Sequence, residues 1–368
     1  MLGFLPLLVP IAFGLHATAS PTFLSKRSTL ELVVTSVPDY VRPYIVRAYS
    51  LDGLAVGSQV YRFPVTGPAS GGAFTLISTA APASDALGIH KAHYENFFCL
   101  RGSFRLWAND EARLFTPGDY GAVPPSTNHT FQIVDPFSEL VGVISPGGFE
   151  DLFTVLAQSN YTSVLEAPFT AGPVAATAGG DASIITTLEK YDVYAELEYS
   201  PRTDMVNGSA PSTAAWHNAP NTLATDAATP FFVAKDYGPR YLNNATGQYQ
   251  IIEPLLTPTQ TDGNFTMGNI ILSRTFARKT PAVYTLPHSH TALEVVDGQL
   301  TLKMEKETVE LEIGDVAFVP AGTAFSYWSQ VAYTKILYIG NGTQTLDQQL
   351  LGNAASWDYA VFPSSPPS

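Results

Sequence analysis

The chain has 368 residues, 45% of them hydrophobic, so it is long enough for two domains and apolar enough to bury their cores. Its formal net charge is -13, only 19 residues are lysine or arginine, and no basic cluster could neutralise a row of phosphates, which excludes nucleic acid as a partner. Cys99 is the only cysteine, so an intrachain disulfide is excluded, and its flanks, Phe98 and Leu100, predict a buried, inert thiol.

The first twenty residues, MLGFLPLLVPIAFGLHATAS, are mostly apolar and end in Ala17-Thr18-Ala19. A short apolar stretch before a small-x-small tripeptide is typical of a cleaved secretory signal, so residues 1–19 are predicted to be a signal peptide and the mature protein to be secreted. A membrane anchor is the alternative, but Pro6 and Pro10 disfavour it, and we expect no membrane attachment after cleavage. Six glycosylation sequons fit the secretory pathway: Asn128, Asn160, Asn207, Asn244, Asn264 and Asn341.

Alternation of apolar and polar residues predicts strands along most of the remaining chain. It is clearest at Ser103–Trp107 and His129–Val134 in the first half, and at Gln299–Glu305 and Thr308–Asp315 in the second. Long helical periodicity is scarce, and 28 glycines and 28 prolines punctuate the short strands. The sequence therefore predicts an all-β protein.

The chain also repeats itself. GDYGAVP at residues 118–124 recurs as GDVAFVP at residues 314–320, and a glutamate followed by a glycine precedes each copy: Glu95 with Gly102, then Glu294 with Gly298. Two copies of one β-barrel explain this pattern, and we place them at residues 30–158 and 216–365. Residues 159–215 are rich in Ala, Gly, Ser and Thr, which is typical of a linker.

Histidines cluster in the two repeats, which suggests metal ligands rather than scattered polar residues. His90, His93 and His129 lie in the first, and His288 and His290 in the second, whereas His217 lies alone in a loop and is expected to have no ligand role. Imidazoles two residues apart on a strand share a face, so His288, His290 and Glu294 could converge on one ion. Two histidines and a carboxylate suit iron, copper or nickel equally, so the ligand types leave the metal open.

The order H-x-H, Glu, Gly, G-x5-P and a later His is similar to the metal signature of the cupins, and its two copies indicate a bicupin. Stretches such as PDYVRPYIVRAYS, YRFPVTGP, HYENFFCLRGSF and PGGFEDLF resemble the secreted fungal quercetin 2,3-dioxygenases more specifically. Members of that family are copper-dependent bicupins that open a flavonol ring with O2 and release carbon monoxide. The resemblance implies two jelly-roll cupin domains joined by a long linker.

The resemblance also implies roles for individual residues in the first repeat. His90, Glu95 and His129 would be metal ligands, and Glu95 would also be the base that takes the flavonol hydroxyl proton. Copper is the metal that it implies, with iron, nickel or manganese as alternatives, and the partners would be a small aromatic substrate, O2 and a second copy of the chain in a homodimer. The residues that would line the substrate pocket are Tyr61, Ile77, Thr79, Phe97, Phe131, Leu140, Ile144 and Phe149; ordinary core is the alternative role for each.

Two departures from the family pattern keep other functions open. Gly88 stands where the family has a further histidine ligand, and His93 is a weak substitute for it. The second repeat keeps His288, His290 and Glu294 but has Phe325 in place of the last histidine, so it is a candidate second metal site. The alternatives to a quercetin dioxygenase are a secreted cupin oxidoreductase that tailors a polyketide or other aromatic metabolite, and a metal-poor bicupin that binds aromatics without catalysis.

Overall fold

A computed structural model describes residues 31–81, 89–91, 93–162, 182–195, 198–211, 216–277 and 279–364. Of residues 89–91 and 182–184 it describes only the backbone. The predicted signal peptide at residues 1–19 and the departure at Gly88 lie outside the described residues. Within the described part of the chain, no helix is both long and apolar enough to span a membrane.

Short strands separated by tight turns make up the first half and the segment after it. The elements are β1 (Val33–Val34), β2 (Tyr44–Val46), β3 (Gly53–Val56), β4 (Gln59–Val65), β5 (Thr75–Ala81), β6 (Ile89–Lys91), β7 (Tyr94–Arg101), β8 (Phe104–Ala108), β9 (Glu111–Phe115), β10 (Tyr120–Val123), β11 (His129–Ile133), β12 (Ser138–Ser145), α1 (Glu150–Leu156), β13 (Ser159–Tyr161), α2 (Ala182–Glu189) and β14 (Val193–Ala195). The segment whose composition indicates a linker thus contributes β13, α2 and β14, and the two strands pair with β3 and β6 of the first half.

The second half repeats the same succession of strands. Its elements are β15 (Phe231–Val233), β16 (Tyr241–Asn243), β17 (Gln250–Leu256), β18 (Phe265–Ser273), β19 (Tyr284–Thr285), β20 (Thr291–Asp297), β21 (Leu300–Met304), β22 (Glu307–Leu311), β23 (Val316–Val319), β24 (Ala324–Trp328), β25 (Tyr333–Asn341), α3 (Leu346–Leu351) and β26 (Ala354–Ser356).

The described strands form a pair of sheets in each half. The first half has the strand orders β13-β3-β4-β5-β12-β7-β10-β15 and β14-β6-β11-β8-β9. The second has β1-β2-β23-β20-β25-β18-β17-β16-β26 and β19-β24-β21-β22. Apolar side chains from both sheets fill the interior of each half. The predicted all-β fold of two similar jelly-roll halves is confirmed.

Each half contributes one strand to a sheet of the other half. Strand β2, near the start of the chain, pairs antiparallel with β23 of the second half, and β15, the first strand of the second half, pairs antiparallel with β10 of the first. Both exchanged strands are buried runs, YIV and FFV, that cover the same edge of equivalent sheets. The exchange joins the halves through backbone hydrogen bonds as well as through side-chain packing.

The aspartate of each repeated Gly-Asp motif holds the exchanged strand in place. Asp119 accepts hydrogen bonds from the backbone N–H groups of Thr116 at 2.7 Å and of Lys235, two residues after β15, at 2.8 Å. Asp315 accepts from Glu312 at 3.0 Å and from Ala48, two residues after β2, at 2.8 Å. Both carboxylates are buried. The aspartate of each repeat therefore forms hydrogen bonds between the halves as well as within its own turn.

Strand alternation in β7 decides which side chains enter the interior of the first half. Tyr94 and Phe98 point to the cluster shared by the two halves, whereas Phe97 and Cys99 belong to the interior cluster. Glu95 has the parity of Phe97 and therefore faces inward. Cys99 is fully buried, as predicted, and burial raises the pKa of its thiol, which keeps it protonated and inert.

Candidate metal and substrate site

Glu95 and His129 come from the two different sheets of the first half and meet in its interior. His129 Nε2 lies 2.6 Å from Glu95 Oε2, a hydrogen-bond distance at which the two atoms share a proton. His129 is only 1% exposed and Glu95 only 4%. Two polar groups buried so deeply are stable only when a shared proton or ion pairs them. The pair therefore directs two possible metal-ligand atoms, Nε2 of His129 and Oε2 of Glu95, at one point.

Backbone geometry fixes which nitrogen of His129 faces that point. The Nδ1–H group donates to the carbonyl oxygen of Thr127 at 2.8 Å, which leaves Nε2 to face Glu95. Histidines that bind metals are usually oriented in this way by a second hydrogen bond on the other ring nitrogen. His129 thus has the tautomer and orientation of a metal ligand, and a transition-metal ion could take the place of the bridging proton.

His90 lies on a strand beside this pair. In β6, Ile89 is opposite His129 and His90 is opposite Tyr194, so the backbone of His90 runs next to β11. The side chain of His90 lies outside the described atoms, and its predicted ligand role stays a prediction. The chemistry of the described donors, one imidazole and one carboxylate, fits a transition metal.

His93 is a further imidazole in the same region. Its Nδ1 atom is buried and has no hydrogen-bond partner in the described part of the chain. Its ring centroid lies 6.0 Å from that of Phe149, one of the predicted pocket residues. The structure thus places His93 against the predicted substrate wall.

Apolar and aromatic side chains surround the Glu95–His129 pair on two sides. On one side, the ring of Phe97 lies 5.9 Å from that of His129 and 5.8 Å from that of Phe131. Leu140 belongs to the same cluster, and Thr79, which lies opposite Leu140 across the sheet, is 2% exposed. These predicted pocket residues are thus brought together beside the candidate ligands.

The remaining predicted pocket residues form the second side. Ile77, Ile144 and Phe149 share one buried cluster with Tyr61, and Ile144 is opposite Glu95 in the sheet. Burial and the nearby Glu95 carboxylate raise the pKa of the Tyr61 phenol, and the phenol donates a hydrogen bond to Gln59. Gln59 and Tyr61 lie two residues apart in β4 and share a strand face, but sequence analysis did not single out Gln59 because no motif marks it.

The second repeat does not assemble the three side chains proposed for it. Val123 is opposite Glu95 and the equivalent Val319 is opposite Thr291, so Thr291, not Glu294, occupies the position of Glu95. Glu294 is opposite Val316, and in the first half the equivalent pair is Phe98 and Tyr120. Because Phe98 points to the core shared by the halves, Glu294 faces the contact between them. The expectation that one strand face presents His288, His290 and Glu294 is wrong.

The two histidines of the second repeat have other surroundings. His288 is exposed and precedes β20, so strand parity does not apply to it. His290 stacks on Phe318 at a centroid distance of 5.7 Å, and its Nδ1 accepts the backbone N–H of Ala321 at 3.2 Å. Among the described residues, no three His, Cys, Asp or Glu side chains are placed to hold a metal ion. Phe325, at the position of His129, is buried among other apolar side chains of this half.

His217, which the sequence left without a ligand role, pairs with the buried aspartate of the first repeat. Its Nε2 lies 2.9 Å from both carboxylate oxygens of Asp119. In the second repeat Arg47 has the equivalent contact, with Nη1 2.6 Å from Asp315. His217 therefore has a structural role at the strand exchange.

Comparison with known proteins identifies two quercetin 2,3-dioxygenases that are similar to this chain, one over most of its length and the other over a third of it. The chain is 45% identical over 350 residues, which are 91% of this chain and 99% of the relative, to the quercetin 2,3-dioxygenase of Aspergillus japonicus. It is 31% identical over 125 residues, 33% of this chain and 37% of the relative, to the quercetin 2,3-dioxygenase of Bacillus subtilis strain 168. No protein-family model matches the chain.

Similar solved structures are more distant. An oxalate decarboxylase from Bacillus subtilis has a TM-score of 0.47 and 15% identity, covering 84% of this chain and 80% of that chain. A salicylate 1,2-dioxygenase from Pseudoaminobacter salicylatoxidans has a TM-score of 0.45 and 13% identity, covering 77% and 74%. Likeness at this level does not bear on function.

Proposed function

The chain belongs to the quercetin 2,3-dioxygenase family, and we propose that it opens the heterocycle of a flavonol or related phenolic with O2 in its first half. The observation that carries this proposal is the buried Glu95–His129 pair, which lies between two apolar walls. Family membership implies a transition-metal ion, a small aromatic substrate and O2 as partners. Copper is the metal we propose, by resemblance, with iron, nickel or manganese as alternatives.

Glu95 is suited to act as the base. A flavonol carries an acidic hydroxyl beside its ring carbonyl, and a carboxylate within hydrogen-bond reach can take that proton. In this buried site, a carboxylate meets little competing water and has His129 within 2.6 Å to share a proton. Glu95 would thus hold the substrate proton until the ring-opened product takes it back.

His129 and His90 would hold the metal together with Glu95. A bound transition metal supplies the redox and Lewis-acid chemistry that lets a deprotonated phenolic react with O2. The Thr127 carbonyl keeps the imidazole of His129 turned towards Glu95, so the donor set is preorganised.

The apolar walls select the substrate. Phe97 and Phe131 on one side and Tyr61 and Phe149 on the other suit a flat polyphenol, because aromatic rings pack favourably against each other's faces and edges. Thr79 adds one hydroxyl to the surface that would meet the phenolic oxygens. The walls also exclude water, which strengthens the proton transfer to Glu95.

The activity is tested by turnover of quercetin under air, followed by the loss of flavonol absorbance and by carbon monoxide release. Glu95→Gln keeps the shape of the side chain but removes the base, so we expect turnover to fall by about 100-fold or more. Glu294→Gln is the matched control, and it should leave turnover unchanged. Full activity of Glu95→Gln, or an equal loss in both variants, contradicts the proposal.

We also propose that the protein is a secreted glycoprotein, on the strength of the predicted signal peptide and the sequons. Of the six sequon asparagines, Asn160, Asn207, Asn244 and Asn264 are exposed, whereas Asn128 and Asn341 are half-buried. Glycans should therefore concentrate on the four exposed sites. Mass spectrometry of the secreted protein checks this, and size-exclusion chromatography with light scattering checks the predicted homodimer.

A further inference from the structure

A groove lies on the outer face of the smaller sheet of the second half, away from the Glu95–His129 site. Its floor is formed by β21 and β24, and one wall by the loop between β18 and β19. The groove has a volume of about 790 Å³, within the range of small-molecule sites. Phe325 and Tyr327 of β24 are buried in the core, so the alternate residues Ser326 and Trp328 face the groove.

The charge of this groove is opposite to that of the chain. Arg274, Lys279 and Lys303 line it and are exposed, and none of them has an ion-pair partner within the described ranges. Glu305 is the acidic lining residue. The formal charge of the groove is thus positive on a chain of net charge -13, and field lines from the three cations converge on the cleft.

The floor supplies groups that can recognise a ring. The Ser326 hydroxyl, on a residue that is 6% exposed, has no hydrogen-bond partner among the described residues, and Ser326 is opposite Lys303 in the sheet. Trp328 is half-buried, and its indole N–H likewise has no acceptor in the described part of the chain. An indole face beside free donors is a common platform for a sugar ring, and a nearby cation pairs with an acidic group on that ring.

We propose that this groove binds an acidic saccharide, a chain of sugar rings that carry carboxylates. One ring packs on Trp328 and donates or accepts a hydrogen bond at Ser326, and its carboxylate pairs with Lys303 while Lys279 and Arg274 meet the neighbouring ring. A saccharide fits better than a flat aromatic acid, because the groove offers several polar contacts, from three cations and the Ser326 hydroxyl, beside the indole of Trp328. The site is independent of the proposed dioxygenase activity and would hold the enzyme on an acidic polysaccharide.

Calorimetric titration of the full chain with a short galacturonic acid oligomer tests this proposal. We expect saturable binding at low salt that weakens as salt is added, and no binding of the matching neutral galactose oligomer. Lys303→Gln and Trp328→Ala should each weaken binding by about 10-fold or more. Lys306→Gln is the matched control, because Lys306 is exposed in the next turn but does not line the groove.

Cooperative urea unfolding shows whether each variant is folded, and this control does not depend on turnover. Absence of binding by the parent protein, equal binding of the neutral oligomer, or an equal loss in Lys306→Gln overturns the proposal. Failure of the dioxygenase assay leaves the titration interpretable, because the two sites lie in different halves.

Discussion

Glu95 and Glu294 are two buried glutamates with different surroundings. Glu95 has an imidazole at 2.6 Å, whereas Glu294 has no hydrogen bond within the described residues and lies near a second carboxylate, Glu139. Burial, and to a smaller extent Glu139, raise the pKa of Glu294 well above its usual value. Burial therefore favours the neutral form of Glu294 between the halves, whereas Glu95 lies beside the imidazole that the proposed function uses.

Glu294→Gln should change how the stability of the protein depends on pH. Below about pH 4.3 both the folded and the unfolded carboxyl are protonated, so Glu294 has no effect on the pH dependence there. As the pH rises above that value, the unfolded carboxyl loses its proton while the folded one keeps it, and folded stability falls by about 1.4 kcal/mol per pH unit until the folded pKa is reached.

Urea unfolding at several pH values measures this effect. The advantage of Glu294→Gln over the parent should be small near pH 4 and should grow as the pH rises above the pKa of the unfolded carboxyl. Glu307→Gln, at an exposed position in β22, is the control and should show no such trend. A difference between Glu294→Gln and the parent that is independent of pH would mean that Glu294 is ionised in the folded protein.

The aspartate of each Gly-Asp repeat accepts a hydrogen bond from a residue just after an exchanged strand, β2 or β15. Asp119→Ala leaves the backbone N–H groups of Thr116 and Lys235 without their acceptor, and Asp315→Ala does the same for Glu312 and Ala48. Each hydrogen bond of this partly buried kind contributes about 1 kcal/mol, so each variant, which loses two of them, should lose about 2 kcal/mol of unfolding free energy.

Denaturant unfolding of both variants checks this expectation, with Asp297→Ala as the control. Asp297 is an exposed aspartate at the end of β20, and its replacement changes the net charge equally. Losses in Asp119→Ala and Asp315→Ala no larger than in Asp297→Ala would show that the two aspartates do not hold the exchanged strands.

At the scale of elements, the sequence predicts more of the fold than of the second site. Alternation predicts strands at residues 103–107 and 299–305, where β8 and β21 form, and the two GD motifs reveal the repeat. The spacing of the motifs also shows why Glu294 is not equivalent to Glu95. The two GD motifs are 196 residues apart, whereas Glu95 and Glu294 are 199 residues apart. A shift of three residues places Glu294 on the opposite face of its strand. The strand exchange was not predictable, because it depends on pairing between segments far apart in the sequence.

At the scale of the whole molecule, residues Leu32–Ser368 form one compact unit in which the halves share a core. That core contains Phe98 and Val141 from the first half and Phe265 and Leu337 from the second. The interior of the second half is filled by side chains such as Phe325, Tyr327 and Met304. In the proposed function the first half provides the chemistry, while the second half packs against it and presents the outer groove.

The account depends most on one claim, that the first half holds a transition metal at Glu95 and His129. Anomalous diffraction from crystals of the metal-loaded protein tests it most directly, with data collected on both sides of the absorption edge of each candidate metal. We predict one strong peak within coordination distance of Glu95 and of His129 Nε2, together with His90. A peak beside His288 or His290, or none in the interior of the first half, would contradict the account.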